Sequence, residues 1–333
     1  MDSLTQIALG AAVGEGVAGR QLGRRAMLWG ALCGTFPDLD VFISFGDAVR
    51  NFTYHRSFSH SLFVLTALTP LFVWLILKVH PGSRDQRTLW ALLVWLVFTT
   101  HVLLDSFTVY GTQIFWPFVT TPVGWSTVFI IDPLYTVPLL VGLVAILAWR
   151  GEPEKARRLN RAGLMLSTLY LGWSVAAKLE VERVARDQLA QMNLAAAPLL
   201  STPAPFNTLL WRLVVMTDDG YLEGYRSLLD GAEPIAFTAH ASDPELLDAV
   251  ADDWAVERLR WFTRGFYRVR AVGDGVVISD LRMGLEPHYV FNFRVAALGN
   301  PPPRPVVPEQ LPGIRDFSRL RWIWARIGDP AAR

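Results

Sequence analysis

Between residues 61 and 179 the chain passes through four long apolar stretches, and this property leaves few ways to fold. They cover 61–79, 88–107, 127–149 and, with more polar interruptions, 162–179. A helix rises about 1.5 Å per residue, so about 20 apolar residues match a hydrocarbon core of about 30 Å. Each stretch therefore reads as a membrane helix. Two shorter apolar pieces, 4–18 and 26–36, precede them and read as tilted, half-length or re-entrant helices, whose many Gly and Ala residues allow close packing. The N-terminal piece has no basic leader before its apolar part, which predicts a retained helix over a cleaved signal. Composition agrees: 52% of residues are hydrophobic and only 18% charged, against roughly a quarter charged in soluble domains.

After about Leu194 the pattern changes. "PLLSTPAPF" is a proline-rich boundary, and "LLWRLVVMTDDGYLEGYRSLL" and "GFYRVRAVGDGVVISDLRM" each read as strand, Asp-Gly turn and return strand. The expected fold is thus an α-helical polytopic membrane protein of about six apolar helices, the first two short, followed by a small β-rich domain outside the bilayer. The membrane part is expected over 1–180 and the β-rich part over 195–333.

Loop charge sets the orientation. Arg20, Arg24 and Arg25, then Lys78, Arg84 and Arg87, then Arg150, Lys155, Arg157, Arg158 and Arg161 occupy alternate connections. The connection 108–126 has no Lys or Arg, and 37–54 has only Arg50. Six crossings in step with that alternation put the β-rich domain on the outer side of an inner (plasma) membrane. A net charge of +1 with no basic stripe argues against a nucleic-acid partner. Cys33, the only cysteine, rules out an intrachain disulfide and a cysteine-rich zinc site.

Ionisable residues in membrane segments are costly and point to function. Asp38 and Asp40 ("FPDLD") end the second short segment on its outer side, and His55 and His60 ("HRSFSH") precede the third. His101 and Asp105 ("HVLLD") share one helix face near the outer end of the fourth, and Asp132 ("FIIDPLY") opens the fifth. Taken singly, each has a structural reading as a capped turn, an interfacial histidine or a hydrogen-bonded pair. Together, four segments deliver Asp or His to one depth on one side. Imidazole and carboxylate suit Zn, Mn or Fe, as one ion or two, and such an ion brings the pKa of bound water toward about 7 for attack on an ester. Arg56 offers a planar fork for phosphate, while Ser57, Ser59 and Ser61 are placed to cap the following helix. Gln6 and Glu15 on the first segment are further candidates to turn inward. Trp116 and Trp125 fit an interfacial belt. Tyr221, Tyr225, Trp261, Phe262 and Tyr267 read as core of the β-rich domain.

Taken together, "PDLD", "HRSFSHS" and "HVLLD" resemble the YdjM-like family of inner-membrane, predicted metal-dependent hydrolases, over about residues 1–180. The resemblance implies a multi-spanning hydrolase with Asp38, Asp40, His55, His60, His101 and Asp105 at its metal site. Two positions depart from it: Gln6 stands where some members carry a histidine, and Ser57 where others carry glycine. The expected function is hydrolysis of a lipid or lipid-linked phosphoester at the outer interface, with Asp132 orienting a ligand or acting as general base. Arg56 would hold the phosphate. A metal-ion or proton-coupled transporter and a non-enzymatic envelope scaffold are the alternatives. No partner protein for the β-rich domain is legible.

Overall fold

The computed structural model describes residues 1–149, 151–299, 302–313 and 319–332; Arg150, counted above among the loop cations, lies outside them. The chain forms two compact units, Met1–Ile43 with His55–Ser174, and Ser44–Tyr54 with Val175–Arg333. Among the described residues, seven α-helices come before the strands: α1 (Ser3–Leu22), α2 (Arg24–Thr35), α3 (Ala48–Tyr54), α4 (Leu62–Val79), α5 (Arg87–Ser106), α6 (Pro133–Ala148) and α7 (Pro153–Gln191).

In the first unit α1 and α2 form a tight hairpin around Gly23, and the sequence shows why. "GAAVG" (Gly10 to Gly14) and "GALCG" (Gly30 to Gly34) each put two glycines one turn apart, and the two faces meet backbone to backbone. A Cβ on Gly30 would lie 2.2 Å from the carbonyl oxygen of Gly10, and one on Gly10 2.3 Å from that of Gly30. No side chain fits there, so this seam needs glycine. α5 packs on α1, α2 and α4, burying Trp90, Leu93, Val94, Val97, Phe98 and Val102. α6 joins α1 from another side, and Thr5 Oγ1 lies 2.7 Å from Thr136 Oγ1.

Among the described residues, two helical stretches are long and apolar enough to cross a membrane, Leu62–Val79 and Pro81–Ser106, with Pro133–Ala148 apolar but shorter. α4 keeps Phe63, Leu71, Trp74, Leu75 and Val79 exposed, as a surface facing lipid would. Six apolar spans are thus more than the helices themselves support. The expected fifth span, 127–149, begins only at Pro133, because the Asp132 side chain caps the helix and Pro133 takes its first position. The expected sixth, 162–179, is part of a 39-residue helix that continues through the charged run after Leu179.

The second unit is β-rich. β1 (Leu199–Pro203), β2 (Leu210–Thr217), β3 (Gly220–Ser227) and β4 (Thr238–Ala241) form one antiparallel sheet in that order. α8 (Trp254–Phe262) follows. Then come β5 (Tyr267–Val272), β6 (Gly275–Asp280), the small pair β7 (Gly284–Leu285) and β8 (His288–Tyr289), β9 (Asn292–Ala297), β10 (Arg304–Leu311) and α9 (Arg319–Gly328). The second sheet has the order β10-β9-β6-β5. Both expected hairpins form, shifted by one residue: Thr217 pairs with Gly220 and Val272 with Gly275, so the turns are Asp218-Asp219 and Gly273-Asp274. Ala177, Val181 and Ala185 of α7, four residues apart, pack on Trp211 and Leu213. Of the aromatics expected in this core, Tyr221 and Phe262 are fully buried. α3 also belongs to this unit, lying against α8 and β10.

Candidate metal centre

The centre is assembled at one end of the first unit from three pieces of chain. Asp38 and Asp40 lie in a 3-10 turn, Pro37–Phe42, that follows α2. His60 closes a second short 3-10 turn, Phe58–His60, ahead of α4, whose start is capped by Ser61. His101 and Asp105 occupy the last turns of α5. His60, His101 and Asp105 are at most 1% exposed, while the Asp38 side chain is 17% exposed and marks the side on which the cluster opens.

One ligand-type atom from each of Asp38, His60, His101 and Asp105 lies within 4.8 Å of all the others. His60 Nε2 is 3.3 Å from His101 Nε2, 3.4 Å from Asp38 Oδ1 and 3.2 Å from Asp105 Oδ2. His101 Nε2 is 3.7 Å from Asp38 Oδ1 and 3.5 Å from Asp105 Oδ2. Four ligands about 2.0–2.1 Å from a tetrahedral ion stand roughly 3.3–3.4 Å apart; the separations of 3.2, 3.3, 3.4 and 3.5 Å lie near that figure and that of 3.7 Å somewhat beyond it.

Hydrogen bonds settle which atoms face inward. His101 Nδ1 donates to the Gly34 carbonyl at 2.7 Å, which leaves Nε2 as the nitrogen that faces the cluster. Ser59 Oγ donates to Asp40 Oδ2 at 2.6 Å and so accepts from His60 Nδ1 at 2.9 Å, which turns His60 Nε2 inward in the same way. Among the described residues, none hydrogen-bonds to the buried Asp105 Oδ2. Four ligand-type atoms thus converge in a buried site, an arrangement suited to ligating a divalent cation. The residues present fit such an ion.

Around the cluster stands a hydrogen-bonded shell. Gln6 Nε2 donates to Asp105 Oδ1 at 2.9 Å, and the Met1 amino group contacts the same oxygen. Gln6, at the departure from the family pattern, therefore orients a carboxylate of the candidate cluster. Arg56 is 4% exposed; its Nε lies 3.4 Å from Asp105 Oδ2, its Nη1 donates to Thr108 Oγ1 at 3.4 Å, and its guanidinium sits over the Tyr110 ring. Its backbone is left-handed, with φ of 62°, and is held by Asp40, whose Oδ2 accepts the Arg56 N–H at 2.9 Å.

Asp40 and His55, expected as ligands, are not among the four converging groups. They bond to each other instead, His55 Nδ1 to Asp40 Oδ1 at 2.7 Å, with the His55 ring partly exposed beside Tyr110. A 3-10 turn advances about 120° per residue, so Asp38 and Asp40, two apart, point in different directions. Burial alone would raise the Asp40 carboxyl, but the hydrogen bond and charge of His55 outweigh it and hold Asp40 below the usual carboxylate range.

Asp132 is also placed differently from expectation. It caps α6 through Leu134 N at 3.0 Å and accepts from the Tyr170 hydroxyl at 2.8 Å, so its carboxylate is committed to the helix start. Glu15 lies toward the other end of α1, with Arg157 Nε 3.5 Å away, and lines a cavity of about 350 Å³ with Arg24 and Trp149. Sequence reasoning did not find the Gly34 carbonyl, Thr108 or Tyr110. A backbone acceptor leaves no mark in a sequence, and the loop after α5 carries no motif.

No curated protein and no solved structure matches the chain. The model of the family described as YdjM inner membrane protein matches residues 1–181, a span that holds every member of the cluster and of its shell. Over more than half its length, then, this chain belongs to the YdjM inner membrane protein family.

Proposed function

We propose that this protein is an integral membrane, metal-dependent hydrolase of a lipid or lipid-linked phosphoester, working at the outer membrane–water interface. The observation that carries the reading is the set of five ligand-atom separations of 3.2–3.7 Å among Asp38, His60, His101 and Asp105. Asp38, His60, His101 and Asp105 would hold the ion, which when bound supplies Lewis acidity to a phosphoryl oxygen and hydroxide near neutral pH.

The remaining chemistry belongs to the chain. Arg56 places a guanidinium beside Asp105, suited to the charge of a phosphoryl group. Asp40 fixes His55 through Nδ1, which leaves His55 Nε2, on a partly exposed ring, to take or give a proton at the mouth of the site. Burial of His60, His101 and Asp105 keeps bulk water from the inner side. The position at the end of α5, on the side away from Lys78 and Arg87, supports an outer, interfacial site that meets headgroups without extracting them. A carrier would place its site nearer the bilayer midplane between repeats.

Elemental analysis of the detergent-solubilised protein beside its His60→Ala and His101→Ala variants tests the reading. One or two Zn, Mn or Fe per chain in the parent, lost in both variants, together with turnover in a lipid phosphoester screen that both variants abolish, is the expected result. A metal-free parent after reconstitution would overturn it in favour of a proton-coupled carrier or a scaffold.

A further inference from the structure

The cavity of about 350 Å³ beside Glu15 lies within the first unit and has walls that carry charge of both signs. Glu15 and Gly19 of α1, Gly23 between α1 and α2, Arg24 of α2, Trp149 at the end of α6 and Arg157 of α7 line it. Its size is at the low end of small-ligand sites. Gln6, at the metal cluster, and Glu15 stand about 14 Å apart along the axis of α1, so the two sites are separate.

Each wall has a local cause. Gly19 has no side chain, and the Glu15 carboxylate fills the space that a Cβ there would take. Glu15 is 5% exposed, and Arg157 Nε stands 3.5 Å from its Oε1 without a hydrogen bond. The other two nitrogens of that guanidinium are spent on Glu154 Oε1 at 3.0 Å and on the Gly19 carbonyl at 3.3 Å. A buried carboxylate in this state has room for a further donor. On another wall Arg24 Nη2 donates to the Leu147 carbonyl at 3.1 Å, and among the described residues no carboxylate pairs with Arg24. α2 begins here, with Gly23 at φ of 61° as its cap and no side chain to accept from the first turn. A helix start without a cap, beside an arginine that has no counter-charge, favours an anion.

The surface of α6 indicates what brings that anion. Leu134, Val137, Val141 and Val144 recur at three- and four-residue steps and are all exposed, and Trp149, exposed as well, joins this stripe to the cavity. In a member of an inner membrane family such a stripe meets acyl chains. A molecule with apolar tails, a phosphate and an adjacent ammonium matches the stripe, Arg24 and Glu15 together.

We propose that this cavity binds the headgroup of a zwitterionic aminophospholipid, with its phosphate at Arg24 and the start of α2, its primary ammonium at Glu15, and its acyl chains along the exposed face of α6. A primary ammonium donates hydrogen bonds to Glu15, which a quaternary ammonium cannot do, and an anionic headgroup without an amine meets the carboxylate as a like charge.

Native mass spectrometry tests this on the full-length protein, stripped of lipid in detergent and titrated with phosphatidylethanolamine, phosphatidylglycerol or phosphatidylcholine of the same acyl chains. Phosphatidylethanolamine is expected to bind about tenfold tighter than either of the others, the worth of one charged hydrogen bond. Arg24→Gln is expected to weaken it by about tenfold, and Arg25→Gln, at an exposed neighbour outside the cavity, to leave it unchanged. Glu15→Gln keeps the length of the side chain and is expected to bring phosphatidylcholine level with phosphatidylethanolamine. Equal affinity of the parent for the three lipids, or equal loss in Arg24→Gln and Arg25→Gln, overturns the inference. Displacement of the bound lipid by soluble phosphoethanolamine at matching concentration overturns it too, since the cavity would then serve a free phosphate ester. None of these results touches the metal reading.

Discussion

Asp40 makes three hydrogen bonds to the loop that carries His60, yet it lies outside the group of four. Its carboxylate accepts from Arg56 N–H, Ser59 Oγ and His55 Nδ1, and through Ser59 it sets which nitrogen of His60 faces inward. Asp40→Ala should therefore reduce metal content about 10- to 100-fold while Asp38, His60, His101 and Asp105 are all retained, measured by metal analysis after dialysis against a weak chelator. Full occupancy after that treatment would show that the loop holds its shape without Asp40. At this scale the sequence was informative about which residues meet and uninformative about how. Depth and side picked out Asp38, His60, His101 and Asp105, because a charged group at a helix end has few places to go. The same signals group Asp40 and His55 with them, because a spacing of two or five residues says nothing of direction until the backbone is known to make 3-10 turns.

At the scale of elements, the α1–α2 hairpin decides where the cluster's inner wall stands. Gly34 belongs to the glycine seam and also offers its carbonyl to His101 Nδ1, and Gln6, whose backbone faces Gly34, holds Asp105. Gly30→Ala drives a Cβ to 2.2 Å from the Gly10 carbonyl oxygen and should destabilise the protein by about 3 kcal/mol or more, since backbone cannot rotate away as a side chain does. Gly16→Ala, on the same α1, meets two side-chain atoms, Leu164 Cδ1 at 3.3 Å and Asn160 Nδ2 at 3.9 Å, and should be tolerated. Thermal unfolding in one detergent compares the two, and equal midpoints would contradict the seam. Abundant Gly and Ala made close packing legible in advance, but not which face carried it. α6 came out shorter than its apolar window because Asp132 and Pro133 start the helix chemically, and an apolarity count does not register a cap. α7 came out longer because Glu180, Arg183 and Asp187 pair along its surface and extend the helix past its apolar part.

For the molecule as a whole, the sequence separated an apolar helical part from a β-rich part, since periodicity of 3.6 and of 2 are different signals. It gave no sign that 44–54 belongs with the latter. Phe52 is one of three aromatics in a short stretch with no apolar period, and its seat among Phe262, Phe291 and Phe293 is assembled from residues more than 200 positions away. One consequence is genetic. A unit built from two separated stretches cannot be detached by a single cut in the coding sequence, nor exchanged by one crossover, without leaving part of its core behind. A fragment covering 175–333 should accordingly expose those three rings, bind a hydrophobic dye and self-associate, and a fragment carrying 44–54 on a linker should do neither; identical behaviour of the two would mean that the aromatic seat closes by itself. Whatever changes over generations in the C-terminal half of this protein is thus answerable to eleven residues that are inherited with the other half.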